Sequence, residues 1–204
     1  MVARYITNLF MTKRFYRLLP EFPETRSNRT WFVDFGVVNV GGFWMHEGRA
    51  IPQWDDQLRA NVPDETVEVP DFMLALNGWP LFSPALQELF VKNFPNSIQF
   101  LPFQLPEWVE LGARGRFAVG QILHLVDAID RVHTQVDSGD WAPRSNGTYR
   151  VHYPIHVLYD SVKCFPVYRL MGAPSQIFVR EDVRELCILN GITGLCFDPN
   201  VPCH

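Results

Sequence analysis

The chain has 204 residues, of which 47% are hydrophobic and 20% are charged, and its 18 basic and 22 acidic residues give a formal net charge of −4. This composition is typical of one globular domain and excludes the low-hydrophobicity, high-charge signature of a disordered chain. Because no stretch rich in Lys and Arg could neutralise a row of phosphates, we expect no nucleic-acid partner.

The N-terminal segment and the longest apolar run both lack the features of membrane or secretory segments. The run at residues 35–45 is interrupted by Asn39 and by glycines, and it falls well short of the ~20 residues that a bilayer span needs. Residues 1–10 contain too little apolar length for a secretory signal. We therefore expect a soluble cytoplasmic protein that does not contact a membrane, with a tail at residues 1–12 and one domain at residues 13–204.

In the first third of the chain, the hydrophobic pattern predicts two strands followed by a long irregular stretch. Residues 15–19 form the first predicted strand, and residues 31–40 form the second, which Gly36 interrupts. Residues 41–70 are rich in Trp, Gly, Pro and acidic residues, a composition that predicts loops. One short helix is predicted there, near residues 53–60.

The middle of the chain predicts further short strands. Residues 67–76 and 79–82 are strand candidates, and residues 109–126 contain another that ends in a turn formed by Asp127 and Asp130. A carboxylate just after an apolar strand commonly accepts backbone hydrogen bonds and fixes such a turn.

Near the C-terminal end, residues 149–159 alternate between two kinds of side chain. Val151, Ile155 and Val157 belong to one set, and the polar His152 belongs to the other. Period-two alternation predicts a half-buried strand, and residues 164–170 are its predicted neighbour.

One segment of the sequence occurs twice. Residues 82–102 are echoed by residues 178–199, with identical residues at a constant offset: Glu88 and Glu185, Leu89 and Leu186, Asn93 and Asn190, Phe100 and Phe197, and Pro102 and Pro199. Each copy predicts a short strand, a helix of two to three turns and a return strand. The echo therefore suggests a duplication.

Cap and turn residues bound the two predicted helices. Ser83 can cap the first helix with its hydroxyl group, and Glu181 and Asp182 place negative charge at the positive end of the second helix dipole. Gly191 predicts that the second helix ends at Asn190, because glycine easily adopts the left-handed backbone found after helices. Since strands outnumber helices, we predict a single α+β domain with a mixed or antiparallel sheet and two duplicated strand-helix-strand units.

A series of short motifs follows in a fixed order along the chain. They lie at residues 15–20, 70–72, 80–83 with Leu86 and Leu89, 100–102, 125–130, 165–172, 177–179, Leu186 and 191–199. In this order they resemble one immunity-protein family of bacterial polymorphic toxin systems, immunity family eleven, over roughly residues 13–199. The resemblance implies a small intracellular protein, encoded beside a toxin, that binds the toxin and blocks it. It brings no catalytic residues with it.

An acidic region is the candidate surface for a partner. Residues 47–71 contain seven carboxylates and only two basic residues, Arg49 and Arg59, which gives a local charge of −5. Such a patch would speed encounter with a basic toxin, and tryptophans would supply anchoring contact. The alternative is a solvated loop whose tryptophans belong to the core. The candidate partner-binding residues are Trp44, Glu47, Trp54, Asp55, Asp56, Asp64, Glu65, Glu68 and Asp71.

The sequence offers no convincing catalytic, cofactor or metal site. On a strand the Cα atoms of His152 and His156 would lie ~13 Å apart, too far for one ion, so we expect surface histidines there. No two of the four cysteines form a Cys-x-x-Cys pair. We therefore expect buried or incidental thiols, with Cys187 and Cys196 in the core.

We predict a non-enzymatic immunity protein that inhibits its cognate toxin in a stoichiometric complex. Two alternatives stay open. One is an enzyme that counteracts the toxin or its product, with His124, Asp127 and Asp130 as the first candidate residues. The other is an adaptor module of a secretion apparatus.

Overall fold

Nine strands arranged in two sheets make up most of the regular structure that the described residues show. The computed structural model describes residues 14–21, 44–60, 69–75, 77–107, 109, 115–136, 141, 149 and 151–204. The predicted tail at residues 1–12 and the predicted strand at residues 31–40 lie outside these residues.

The strands and helices are short. The strands are β1 Phe15–Pro20, β2 Phe72–Leu74, β3 Pro80–Phe82, β4 Ile98–Pro102, β5 Ala118–Ile122, β6 Leu125–Val126, β7 Val167–Leu170, β8 Ala173–Arg180 and β9 Leu195–Asp198. The helices are α1 Pro84–Asn93, α2 Tyr159–Val162 and α3 Glu181–Leu189, together with a 3-10 helix at Trp44–His46. Among the described helices, none combines the length and the hydrophobicity that a bilayer crossing requires.

The strands pair mostly antiparallel. The first sheet has the order β2-β3-β5-β4, and the second sheet has the order β6-β7-β8-β1-β9. Within the described strands, only the β6–β7 pairing is parallel. The predicted α+β domain with mixed and antiparallel pairing is therefore confirmed.

Each of the two echoed segments forms a strand, a helix and a return strand. The first unit is β3-α1-β4, and the second unit is β8-α3-β9. In each unit a strand from elsewhere lies between the two strands and is antiparallel to both: β5 in the first unit and β1 in the second. An origin of the two units by duplication stays a prediction.

The ends of both helices follow from local sequence. The backbone amide of Leu86 donates to the Ser83 hydroxyl at 3.2 Å, which confirms the predicted cap of α1. The C-cap of α3 is Asn190, and Gly191 adopts φ 64° directly after it, as the sequence predicted. Because glycine has no Cβ, it takes this left-handed conformation at little cost.

One hydrophobic cluster joins the two sheets. It contains buried side chains of both long helices, including Leu86 and Phe90 of α1 and Val183 of α3, together with Phe82 of the first sheet and Val179 of the second. Since both helices bury their apolar faces in the same cluster, the two units form one domain rather than two independent lobes.

Two predicted elements are wrong. The described residues of the predicted strand at 149–159 form only isolated bridges, at Val151 and Val157, before α2 begins. Pro154 has no backbone amide to donate to a ladder, which favours an irregular path there. The predicted helix near residues 53–60 is a turn instead, in which the amide of Gln57 donates to the Asp55 carboxylate at 2.9 Å.

Candidate functional site

The acidic loop, residues 47–60, is fixed against the edge of β4. The side chain of Gln99 accepts from the backbone amide of Ile51 at 2.7 Å and donates to the Ile51 carbonyl at 3.0 Å. Further along, the amide of Gln104 donates to the Leu58 carbonyl at 2.7 Å, and the amide of Ala60 donates back to the Gln104 carbonyl at 2.9 Å. The buried side chains of Ile51 and Leu58 anchor the loop in the core.

Three of the candidate carboxylates are exposed on this loop. Glu47 forms an ion pair with Arg49, while Asp55 fixes its own turn and Asp56 accepts from the Gln57 side chain at 3.0 Å. These interactions lie at the surface, where water still reaches the carboxylates. The loop therefore presents three carboxylates beside the exposed Arg49 and Arg59, a net charge of −1, on a backbone that is held in place.

Trp54 occupies a half-buried position beneath the same loop. Its indole nitrogen donates to the Pro102 carbonyl at 2.6 Å, and its ring packs against Trp79 with centroids 5.6 Å apart. The side chain thus ties the loop to the first sheet. Trp54 therefore matches neither sequence-based interpretation fully: it packs against core residues, as a core tryptophan would, and it also stays partly exposed, as a partner contact would.

Asp71 is used inside the protein. One carboxylate oxygen accepts from the Ser83 hydroxyl at 2.6 Å, and the other accepts from the amide and the hydroxyl of Thr193 at 2.9 and 3.0 Å. These bonds connect the start of α1 in the first unit to the turn before β9 in the second. Asp71 therefore helps to hold the two units together.

The remaining candidates of the acidic region are not described. Asp64, Glu65 and Glu68 lie outside the described residues, as does the side chain of Trp44. The described carboxylates that stay available at the surface are Glu47, Asp55 and Asp56.

The three residues of the enzyme alternative have separate partners. The ring of His124 lies against the ring of Phe165, with centroids 4.7 Å apart, and partial burial lowers its pKa. The exposed carboxylate of Asp127 lies 3.7 Å from the guanidinium of Arg131. Asp130 is buried and bonds to a different group of residues.

Asp130 fixes a turn, as the sequence predicted. It accepts from the backbone amides of Val132 at 2.9 Å and His133 at 3.3 Å. Its second oxygen lies 2.6 Å from Nδ1 of His133. Burial alone would raise the pKa of Asp130, but the bonds from the His133 ring and from the two amides bring that pKa below its ordinary value.

Sequence reasoning missed a group of side chains that we name the histidine cluster: Asp130, His133, His156 and His204. The rings of His133 and His204 stack with centroids 4.4 Å apart, and those of His156 and His204 stack at 4.9 Å. Nδ1 of His156 lies 2.7 Å from Nε2 of His204. The i, i+3 spacing of Asp130 and His133 is visible in the sequence, whereas the other two residues join them only through the fold.

The crowding of these side chains shifts the pKa of His156. Partial burial lowers the pKa of His156, positive charge on His204 or His133 lowers it further, and the carboxylate of Asp130 acts in the opposite direction. The net effect lowers the pKa of His156 and favours its neutral form.

Arg169 on β7 is a second buried polar group that the sequence did not indicate. Its side chain is 1% exposed, and Nη1 donates to the Pro174 carbonyl at 2.6 Å. Its Nε and Nη2 find no hydrogen-bond partner among the described residues, and burial lowers its pKa to about 10. Burial and the charge of Arg169 together lower the pKa of His46 to about 4, which keeps that histidine neutral.

The cysteines follow the prediction in part. All four are described and are free thiols. Cys187 packs in the shared cluster, where burial raises its pKa to about 12, so it is a core residue as predicted. Cys196 is exposed, and its predicted core position is wrong, because its side chain alternates to the outer face of β9.

Comparison with known proteins places the chain in a family. No curated protein matches it. One family model, described as "Immunity protein family (Imm11)", matches residues 16–201, which includes nearly every described strand and helix. Because this match spans almost the whole chain, the protein belongs to the Imm11 immunity protein family.

Proposed function

We propose that this protein neutralises a cognate bacterial toxin by binding it in a stoichiometric complex. The observation that carries the proposal is the family match over residues 16–201. An immunity protein of this kind acts by occupying a surface of the toxin, so it needs a stable and complementary surface of its own more than it needs a reactive group.

The acidic loop supports the proposal as the contact surface. It carries the exposed carboxylates of Glu47, Asp55 and Asp56, and these face solvent rather than the core. A toxin with a basic active site would be drawn to such a surface, because complementary charge raises the rate of encounter and suppresses wrong partners. The proposed partner surface is therefore basic.

The anchoring of the loop also supports this role. Gln99 and Gln104 fix its backbone from the first sheet, and Trp54 packs beneath it. A surface that is already ordered loses little conformational entropy when it binds. In this proposal Trp54 acts chiefly as a positioning residue, and Asp71 acts within the fold rather than at the interface.

Protection and complex formation test the proposal together. Cells that express the toxin encoded beside this protein should grow when the protein is co-expressed at comparable levels. The purified pair should elute as one complex with fixed stoichiometry on size exclusion. Absence of protection together with absence of a complex would reject the proposal, and protection by trace amounts without a complex would favour an enzyme.

A charge-neutralising variant tests the surface. The triple substitution Glu47→Gln, Asp55→Asn and Asp56→Asn keeps the side-chain shapes, and the new side-chain carbonyl at position 55 still offers an oxygen to the Gln57 amide. We expect slower association and a Kd for the toxin weakened by at least ~10-fold at low salt, with a smaller effect at high salt.

The matched control removes three exposed carboxylates elsewhere: Glu88→Gln, Asp160→Asn and Glu185→Gln. It changes the net charge equally but leaves the acidic loop intact, so the Kd should change little. Equal weakening by both triple variants would show that only overall charge matters, and no weakening by either would place the interface elsewhere.

A further inference from the structure

The histidine cluster contains the donor atoms of a metal site. One ligand atom each from Asp130, His133 and His204 can be chosen so that all three lie within 4.8 Å of one another. His156 lies next to this group, with its Nδ1 2.7 Å from Nε2 of His204. Imidazole nitrogen and carboxylate oxygen are the ligands that Zn²⁺ and other first-row transition metals take in proteins.

The spacing suits a single ion after small side-chain movements. Two ligands at ~2.0–2.1 Å from a tetrahedral zinc lie about 3.4 Å from each other. The side chain of His133 is 51% exposed and His204 is also exposed, so both rings can rotate into place without disturbing the core. Solvent exposure also gives an ion direct access.

Backbone hydrogen bonds hold the three contributing segments together. The amide of Asp130 donates to the His156 carbonyl at 2.9 Å, and the amide of His156 donates to the Thr134 hydroxyl at 3.0 Å. The amide of His204 donates to the Val157 carbonyl at 3.0 Å. The Cα positions of the four residues are therefore fixed before any ligand arrives, which lowers the entropic cost of binding.

We propose that Asp130, His133 and His204 bind a divalent transition-metal ion such as Zn²⁺, with a water molecule completing a four-coordinate site and His156 adjacent to it. This site joins the C-terminal residues to the turn at residues 130–134. It shares no residue with the acidic loop and does not rest on the proposed function. It differs from the sequence-based expectation of no metal, which considered His156 only with His152 and not with residues 133 and 204.

Titration of the whole chain with ZnCl₂ tests the proposal. The protein is purified without a polyhistidine tag and is freed of metal with a chelator, because a tag would itself bind zinc. Isothermal titration calorimetry should show one ion per chain with a Kd below about 10 µM. Co²⁺ should give the visible absorption bands of a four-coordinate site. Weak, unsaturable uptake of both ions would overturn the proposal.

Two variants and a matched control identify the ligands. His133→Gln and His204→Gln should each weaken zinc binding at least ~10-fold, and zinc should raise the Tm of the native chain but not of His204→Gln. His152→Gln removes an exposed histidine outside the cluster and should leave the Kd unchanged. Native affinity in both cluster variants, or an equal loss in His152→Gln, would contradict the assignment. Should His133→Gln fail to fold, His204→Gln decides, since its side chain is at the surface.

Discussion

The first unit and the second unit share a layout but begin their helices differently. α1 starts at Ser83, whose hydroxyl accepts from the Leu86 amide and donates to Asp71. α3 starts after Arg180, which supplies no capping bond from its side chain and instead pairs with Asp182 at 2.6 Å. The echo in the sequence thus preserves residues of the shared core and of the helix end, whereas α1 begins with a side-chain cap and α3 does not.

The ends of the two helices are alike for one residue and then diverge. The side-chain amides of Asn93 and Asn190 each donate to the backbone carbonyl four residues earlier, at 2.8 and 2.7 Å. After that, the left-handed backbone falls at Asn96 in the first unit and at Gly191 and Gly194 in the second. The turn of the second unit also contacts the first sheet, because Gly194 packs directly on the backbone of β2.

Truncation of equivalent core residues should have the largest effect. Leu86 and Val183 occupy the same position in the two units and are 0% and 1% exposed. We expect Leu86→Ala to lower the free energy of unfolding by about 4 kcal/mol and Val183→Ala by about 2 kcal/mol, since valine loses fewer buried carbons. Urea denaturation followed by circular dichroism measures both. If only one of the two variants lowered the free energy of unfolding, the shared cluster would not couple the two units.

Two glycines of the second unit separate backbone strain from steric contact. Both have positive φ, but a Cβ on Gly191 would meet open space, while one on Gly194 would strike the Phe72 carbonyl oxygen. Gly191→Ala should cost about 1 kcal/mol for the left-handed backbone, and Gly194→Ala about 3 kcal/mol in all. If both variants lost the same free energy of unfolding, the inter-sheet contact at Gly194 would contribute nothing to stability.

Loss of the cap in the first unit should have a smaller effect than truncation of Leu86 in its core. Ser83→Ala removes the bond to the Leu86 amide and the bond to Asp71. We expect a decrease of about 1–2 kcal/mol in the free energy of unfolding. Ser83→Thr keeps a hydroxyl group and serves as the control, with most of the stability retained. An unchanged stability of Ser83→Ala would show that α1, like α3, does not depend on a side-chain cap.

Local signals predicted the elements that depend on neighbouring residues. The first strand was predicted at residues 15–19 and is observed at Phe15–Pro20. The cap at Ser83 follows from hydroxyl capping, and the end of α3 at Asn190 follows from the conformational freedom of Gly191. The alternating pattern at residues 149–159 led to a wrong strand prediction. Alternation indicates which side chains are buried, but it does not show whether a partner strand is present. Ile155 and Val157 are indeed buried, but without a strand around them.

The candidate site was predictable only in part, for the same reason. Composition located the exposed carboxylates of the acidic loop, because charge density is a local property of the sequence. The internal use of Asp71 was not predictable, since its partner Thr193 lies 122 residues away along the chain. The histidine cluster likewise joins residues 130–133 to residues 156 and 204.

The sequence by itself determined the repeated strand-helix-strand pattern, the apolar faces and the helix ends, because each depends on side chains within one or two turns of each other. It also indicated the family, through the order of short motifs along the chain. Only the tertiary structure decided which strand enters each unit, how Asp71 and Gly194 join the sheets and which histidines meet. Those outcomes depend on burying both helices in one shared cluster, and this requirement is met by contacts between residues far apart in the chain.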